Sequence, residues 1–118
     1  MSYIFDADDK VIWSPASHVG KLYVELADAL SGLISVPHGF SPMANDYYEV
    51  ESSQFHDFVE ALTGEYSDGH RVAQSLIRGF ILTSRVLLDR MEDGRVYKQM
   101  DARTAAAMME LSAAMPEL

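Results

Sequence analysis

Arg71-Val-Ala-Gln-Ser-Leu-Ile-Arg-Gly-Phe-Ile-Leu-Thr-Ser-Arg-Val-Leu-Leu-Asp-Arg-Met91 is apolar at nearly every turn of a helix. Ala73, Leu76, Ile77, Phe80, Ser84, Leu87 and Met91 share one wide face, with Val72, Ile81, Val86 and Leu88 at its edges. The spacing predicts a helix from about His70 to Glu92. A helix apolar over so much of its circumference belongs at the buried centre of a fold. Gly79 lowers helix propensity by about 1 kcal/mol relative to alanine, which points to close packing there. Asp68-Gly69 reads as the turn before this helix and Asp93-Gly94 as its C-cap.

The segments around it supply partners. Tyr3-Ile-Phe and Val11-Ile-Trp are β-favouring and flank Asp6-Ala-Asp-Asp-Lys10, a hairpin pattern. Ser14-Pro15 offers an N-cap for a helix whose apolar face is Val19, Leu22, Tyr23, Leu26, Leu30, Leu33 and Ile34. Pro37, Gly39 and Pro42 predict a loop from about Val36 to Asn45. Asp46 to Glu51 reads as a third short strand. Ser52 or Ser53 is then expected to cap a helix burying Phe55, Phe58, Val59, Leu62 and Tyr66, with His56, Asp57, Glu60 and Thr63 opposite. Asp101 caps a last helix from Ala102 to about Met115, in which Met108, Met109 and Met115 read as core or as an adaptable contact surface. The expected fold is one α+β domain over residues 1–118, predominantly helical, with about four helices and a small antiparallel sheet.

Composition narrows the function classes. The chain has 118 residues, 48% of them hydrophobic and 23% charged, which suits a globular domain that needs no staples. It contains no cysteine, excluding disulfides, thiolate metal sites and thiol catalysis. The start lacks the basic and apolar regions of a signal peptide, and the apolar run near Leu76 to Leu88 is broken by Arg78 and Arg85. A soluble cytoplasmic protein with no membrane association is expected. A net charge of −9 repels phosphates, so no nucleic-acid partner is expected.

That charge is unevenly placed. Residues 1–68 hold 12 of the 18 carboxylates against two cations, a net of −10, whereas residues 69–118 carry a net of +1. Arg71, Arg78 and Arg85 recur every seven residues and form one stripe on the third helix. Ser75, Leu82 and Asp89 share its face, and Arg85 and Asp89 are spaced to pair. The stripe reads as a solvated face, as a partner for the acidic first half, or as an anion-binding surface.

Catalytic patterns are absent: no Gly-x-Ser-x-Gly, no Ser-x-x-Lys and no phosphate-binding glycine loop. No catalytic residue, metal or cofactor is assigned. His56 and Glu60 are spaced as two ligands could be, but the sequence supplies no third in a known pattern. His18, His38 and His70 have no nucleophile beside them.

The strongest candidate surface is Asn45-Asp46-Tyr-Tyr-Glu-Val-Glu51, extended to Asp57 and Glu60 on the second helix. Tyrosines supply contact area and carboxylates steer association, so Asp46, Tyr47, Tyr48, Glu49, Glu51, Asp57 and Glu60 are the candidate binding residues for a basic protein. The alternative is a strand edge whose tyrosines alternate between core and solvent.

Several short motifs carry a likeness: the Tyr3-Ile-Phe opening, Trp13-Ser-Pro15, Gly39-Phe-Ser-Pro-Met43 leading to Asn45-Asp46, Glu51…Phe55…Phe58, and Gly79-Phe80. Over roughly residues 1–90 the chain resembles a family of short, uncharacterised actinobacterial proteins, and its Ala/Met-rich tail departs from them. The resemblance brings no reaction and no catalytic residue. Such small, acidic, cysteine-free proteins are similar in kind to immunity proteins, which bind and block a toxin. The leading expectation is therefore an interaction protein, an immunity protein or inhibitor that binds a basic toxin. A small-molecule binder or small enzyme is the alternative, its pocket between the helices and the Pro37–Pro42 loop near His56, Asp57 or Glu60. A homodimer through the arginine stripe or last helix is the third reading.

Overall fold

The computed structural model describes residues 2–66, 71–92, 96 and 99–117. Strands β1 (Ile4–Ala7) and β2 (Lys10–Trp13) form the expected hairpin. Asp8 and Asp9 make its turn at φ of 52° and 63°. Left-handed backbone at both positions matches the twist of the flanking strands. Aspartate tolerates this conformation, but asparagine and glycine adopt it more easily. Replacing the pair by Asn-Gly (Asp8→Asn with Asp9→Gly) should raise stability by about 1 kcal/mol. Thermal melting checks this, and an unchanged or lower Tm would contradict the turn assignment.

Strands β3 (Phe40–Ala44) and β4 (Tyr47–Val50) form a second antiparallel hairpin, and β4 runs parallel to β1. The strand order is β2-β1-β4-β3. The sheet is thus mixed rather than wholly antiparallel. The expected loop before Asn45 contains a strand, which Gly39 and Pro42 concealed. Proline cannot donate to a ladder, but β3 is an edge strand, where that loss is tolerated. Gly39 has φ of 85°, and its carbonyl oxygen accepts from the Glu51 N–H (2.8 Å). A Cβ there would lie 2.9 Å from the Glu51 carbonyl oxygen, so glycine is required on both counts.

Four helices are seen among the described residues: α1 (Ser17–Ile34), α2 (Ser52–Glu65), α3 (Arg71–Met91) and α4 (Ala102–Ala113). No helix among these residues is long and apolar enough to cross a membrane. The core is aromatic. Phe5, fully buried, stacks on Trp13 at 5.4 Å and on Tyr48 at 5.7 Å, and meets Tyr23 and Phe40 edge-on. Phe55 joins through Phe40, and Phe58 through Phe80. The helices α1 and α2 therefore cover the face of the sheet that carries Phe5, Phe40, Tyr48 and Val50.

Several local expectations need correction. Ser14 does not cap α1: its N–H donates to the Pro116 carbonyl (2.8 Å), and Ala16 is the capping residue with no side-chain bond. The buried face of α1 is Tyr23, Val24, Ala27 and Leu30, rotated from the expected one, which leaves Val19, Leu22, Leu26 and Leu33 exposed. Gly20 explains part of the rotation, because a Cβ there would lie 2.5 Å from the Tyr3 ring. Glu51, rather than either serine, caps α2 by accepting from the Gln54 N–H (2.6 Å).

Only the second half of α3 is central. Phe80, Ser84, Val86, Leu87 and Leu88 are buried, whereas Val72 and Leu76 are exposed. Gly79 is exposed, and a Cβ there would meet nothing within 4 Å. Close packing does not explain it. Asp101 caps α4 as expected, accepting from the Thr104 N–H (2.8 Å). Met108 and Met115 are core residues and Met109 is exposed. The Asp68-Gly69 turn, His70 and the Asp93-Gly94 cap lie outside the described residues.

Candidate functional site

Strand alternation sorts the acid–tyrosine segment. β4 lies inside the sheet, between β1 and β3, and is not an edge. Tyr48 faces inward, stacked on Phe5 and, at 6.0 Å, on Tyr3. Burial first, then nearby Tyr3 and Asp28, raises its phenol above the usual tyrosine range. Tyr47 and Glu49 take the opposite, outer face. Parallel pairing sets Tyr47 beside Ile4 and Glu49 beside Asp6, so Asp6 joins the same face. The Tyr47 hydroxyl donates to Asp6 Oδ2 at 2.6 Å. That bond, helped by local desolvation and the negative field of Asp6, Glu49 and Asp9, holds the Tyr47 phenol above its usual range.

The first hairpin turn adds to this field. Asp8, Asp9, Glu49 and Glu51 line one hollow of about 410 Å³ with Ser52 and Ser53. Ser52 Oγ donates to Asp8 Oδ2 at 3.4 Å, and the Glu51 carboxylate is engaged at the α2 cap. Lys10, next to the turn, sends its ammonium to the Arg90 carbonyl oxygen (3.3 Å). Asp46 sits in the β3–β4 turn, where its carbonyl accepts from the Ile4 N–H (2.8 Å). Asp57 and Glu60 are exposed on α2, whose buried row Phe55, Phe58, Val59 and Leu62 faces the core. They stand apart from the outer sheet face. No local pattern marks Asp6, Asp8 and Asp9 as neighbours of this segment, because only β1–β4 pairing brings them there.

The arginine stripe leaves this acidity in place. Arg71, Arg78 and Arg85 line a groove of about 460 Å³ with Thr63, Tyr66 and Thr104. Among the described residues none of the three forms an ion pair. Asp89 turns inward and accepts from the Val96 N–H (3.1 Å) instead of meeting Arg85 at the surface. Leu82 packs against the core and is not stranded among charges.

The histidines divide in the same structural way. His38 accepts from the Phe40 N–H at Nδ1 (3.0 Å), so Nε2 carries the proton and donates to Asp28 (2.7 Å). Both nitrogens are occupied in fastening the loop after α1. His56 lies 3.7 Å from Asp57 on the exposed face of α2. Among the described residues no group of three or more histidine and carboxylate side chains is placed to hold a metal ion.

A groove of about 650 Å³, lined in part by Trp13, lies between α1, α3 and α4. It is away from the Pro37–Pro42 loop and from His56, Asp57 and Glu60, where a pocket was expected. Leu22 and Leu26, the part of the α1 apolar face that the core does not use, line it with Phe80, Leu111 and Met115. Trp13 is 3% exposed, and its Nε1–H has no acceptor among the described residues. A buried donor left unpaired costs about 1–3 kcal/mol.

No curated protein and no solved structure matches the chain. A family model does match, over residues 1–117, so the likeness runs through the Ala/Met-rich last helix instead of stopping near residue 90. The chain therefore belongs to the family of unknown function DUF6086.

Proposed function

We propose that this chain is an acidic protein-interaction module that docks a basic protein through the outer face of its sheet. The docking residues are Asp6, Asp8, Asp9, Asp46, Tyr47, Glu49 and Glu51. The observation carrying the reading is that carboxylates from two separate hairpins line one hollow, while Lys10, next to the first hairpin turn, sends its ammonium to the Arg90 carbonyl oxygen. Such a field raises the association rate with a positive surface and is screened by salt. Tyr47, with its hydroxyl fixed by Asp6, supplies a rigid contact at the centre of that face. The specific form of the proposal is a cytoplasmic immunity protein or inhibitor in an actinobacterial setting. Its partner is a basic toxin, for example a nuclease, whose phosphate-binding surface it covers.

The test is affinity capture with the wild-type chain and two variants, followed by association kinetics on the captured protein at low and high salt. Asp8→Asn/Asp9→Asn/Glu49→Gln removes charge from the sheet face, and Asp57→Asn/Glu60→Gln removes it from α2. The expected partner is basic, and the sheet variant should slow association by about tenfold or more at low salt. The α2 variant should bind like the wild type. Full-speed, salt-insensitive association by the sheet variant would remove this surface from consideration.

A further inference from the structure

We infer that the groove between α2, α3 and the start of α4 binds a small organic phosphate, a phosphate monoester carried on an aromatic or aliphatic body. Arg71, Arg78 and Arg85 line it, and among the described residues no aspartate or glutamate does. None of the three is ion-paired among these residues, although the chain holds 18 carboxylates against nine lysines and arginines. Like charges gathered in one hollow repel one another, and a monoester of charge about −2 relieves that repulsion. A carboxylate, with a single charge, relieves less of it.

Arginine suits such a ligand because its planar fork makes paired N–H bonds to phosphate oxygens. The threonine hydroxyls beside it are committed elsewhere. Thr63 Oγ1 donates to the Val59 carbonyl (2.8 Å), and Thr104 Oγ1 donates to Asp101 Oδ2 (3.1 Å). Asp101 also accepts from the Thr104 N–H, so this carboxylate is occupied at the α4 cap. The guanidiniums are the charged donors that the groove offers.

The rest of the wall indicates the body of the ligand. Tyr66, Ile77, Ile81 and Leu82 pack against the core and also line the groove. They set apolar surface beside the charges, which inorganic phosphate cannot use. The volume, about 460 Å³, is that of a small-molecule site. A nucleic-acid strand fits poorly, because a net charge of −9 repels an extended polyanion. A small anion instead meets the arginines within a Debye length, about 8 Å at physiological ionic strength. The inference is independent of the acidic sheet face, none of whose docking residues lines this groove.

Isothermal titration calorimetry provides the test, with 1-naphthyl phosphate, 1-naphthoate, 1-naphthylmethanol and inorganic phosphate as probes. The naphthyl phosphate should bind about tenfold or more tightly than the other three, and less tightly as salt is added. Arg78→Gln/Arg85→Gln should weaken it by about tenfold or more. The charge-matched Lys21→Gln/Arg103→Gln should bind like the wild type, since both residues are exposed on helices and lie outside the groove. In the wild-type protein the Nε–H resonances of Arg78 and Arg85 should move with naphthyl phosphate and stay in place with naphthylmethanol. That reading needs no variant to fold. Any comparison probe that binds as tightly as naphthyl phosphate, equal affinities in both double variants, or unmoved arginine resonances would overturn the proposal. So would salt-sensitive self-association in sedimentation that Arg78→Gln/Arg85→Gln abolishes, which would make the acidic face of a second copy the occupant.

Discussion

Arg90→Met should cost about 3–5 kcal/mol of folding stability, read from the urea midpoint of the folded chain. Arg90 stands near the end of α3, where a cation ordinarily does no more than complement the helix dipole. Here the side chain is only 10% exposed and works as a clasp. Nη1 donates to the Ile12 carbonyl of β2 at 2.7 Å. Nη2 donates to the carbonyls of Ser112 (3.2 Å) and Met115 (2.7 Å) and to Ser112 Oγ (3.1 Å). Nε lies 3.0 Å from the half-exposed Glu117 carboxylate. The sheet, the central helix and the segment after α4 are thereby joined through one planar group. Methionine fills much of the volume but leaves those carbonyls without a donor, and each such loss is worth about 1–3 kcal/mol when buried. Arg90→Lys should recover less than half of the loss, because a single ammonium cannot span acceptors on both sides. Glu117→Gln should change little, since its oxygen can be hydrated. A loss below about 1 kcal/mol for Arg90→Met would show that the clasp is decorative.

Tyr23→Ala should be of similar size, about 3–5 kcal/mol, for a different reason. The ring stacks on Phe80 at 4.9 Å, meets Trp13 edge-on at 5.2 Å and joins Phe5 and Phe40 at 5.8 Å. Its removal opens a cavity where sheet, α1 and α3 meet. Tyr23→Phe keeps the ring and loses only the 2.7 Å hydrogen bond to Ser84, so about 1 kcal/mol is expected at neutral pH. Alkaline pH separates the two effects. Burial pushes the Tyr23 phenol well above the ordinary tyrosine range, opposed in part by its bond to Ser84. A raised folded-state pKa means that the unfolded chain ionises first. The phenol's contribution is intact below pH of about 10 and declines above it, by about 1.4 kcal/mol per pH unit. Tyr23→Phe lacks this liability. Wild-type stability should therefore fall toward, and then below, that of Tyr23→Phe as pH rises past about 10. A constant difference across that range would mean that the phenol is not buried as described.

Much of the architecture was legible because periodicity reports burial directly. The Phe55, Phe58, Val59 and Leu62 row of α2 was read correctly, as were the first hairpin and the Asp101 cap of α4. The differences have two physical origins. For α1 and the first half of α3, apolar spacing identified a face able to be buried without saying which part a neighbour would cover. Tyr3 approaching Gly20 turns α1 so that Val24 and Ala27 go inward while Leu22 and Leu26 line a groove. Strand β3 was missed because proline and glycine weigh against a strand locally, whereas an edge position tolerates both.

The candidate surface was half visible. Asp46, Tyr47, Glu49 and Glu51 are contiguous, and the alternation of a strand suffices to separate Tyr47 from Tyr48. Asp6, Asp8 and Asp9 lie about forty residues away in sequence, and no local pattern announces that β1 will run parallel to β4. Trp13 shows the same limit. Its type and position predict burial, but only the packed arrangement shows an indole N–H without an acceptor among the described residues.

The sequence by itself determined the element types apart from β3, most of the buried apolar rows, the absence of thiol chemistry and the concentration of negative charge in the first half. Those properties depend on residues near one another along the chain, where helix and strand periods act. Tertiary structure alone decided which carboxylates share a face, that the three arginines do not neutralise them, and where the apolar groove opens. Those outcomes depend on strand order and helix rotation. Both are settled by contacts between distant residues, such as Phe5 with Tyr48, Tyr3 with Gly20 and Arg90 with Met115.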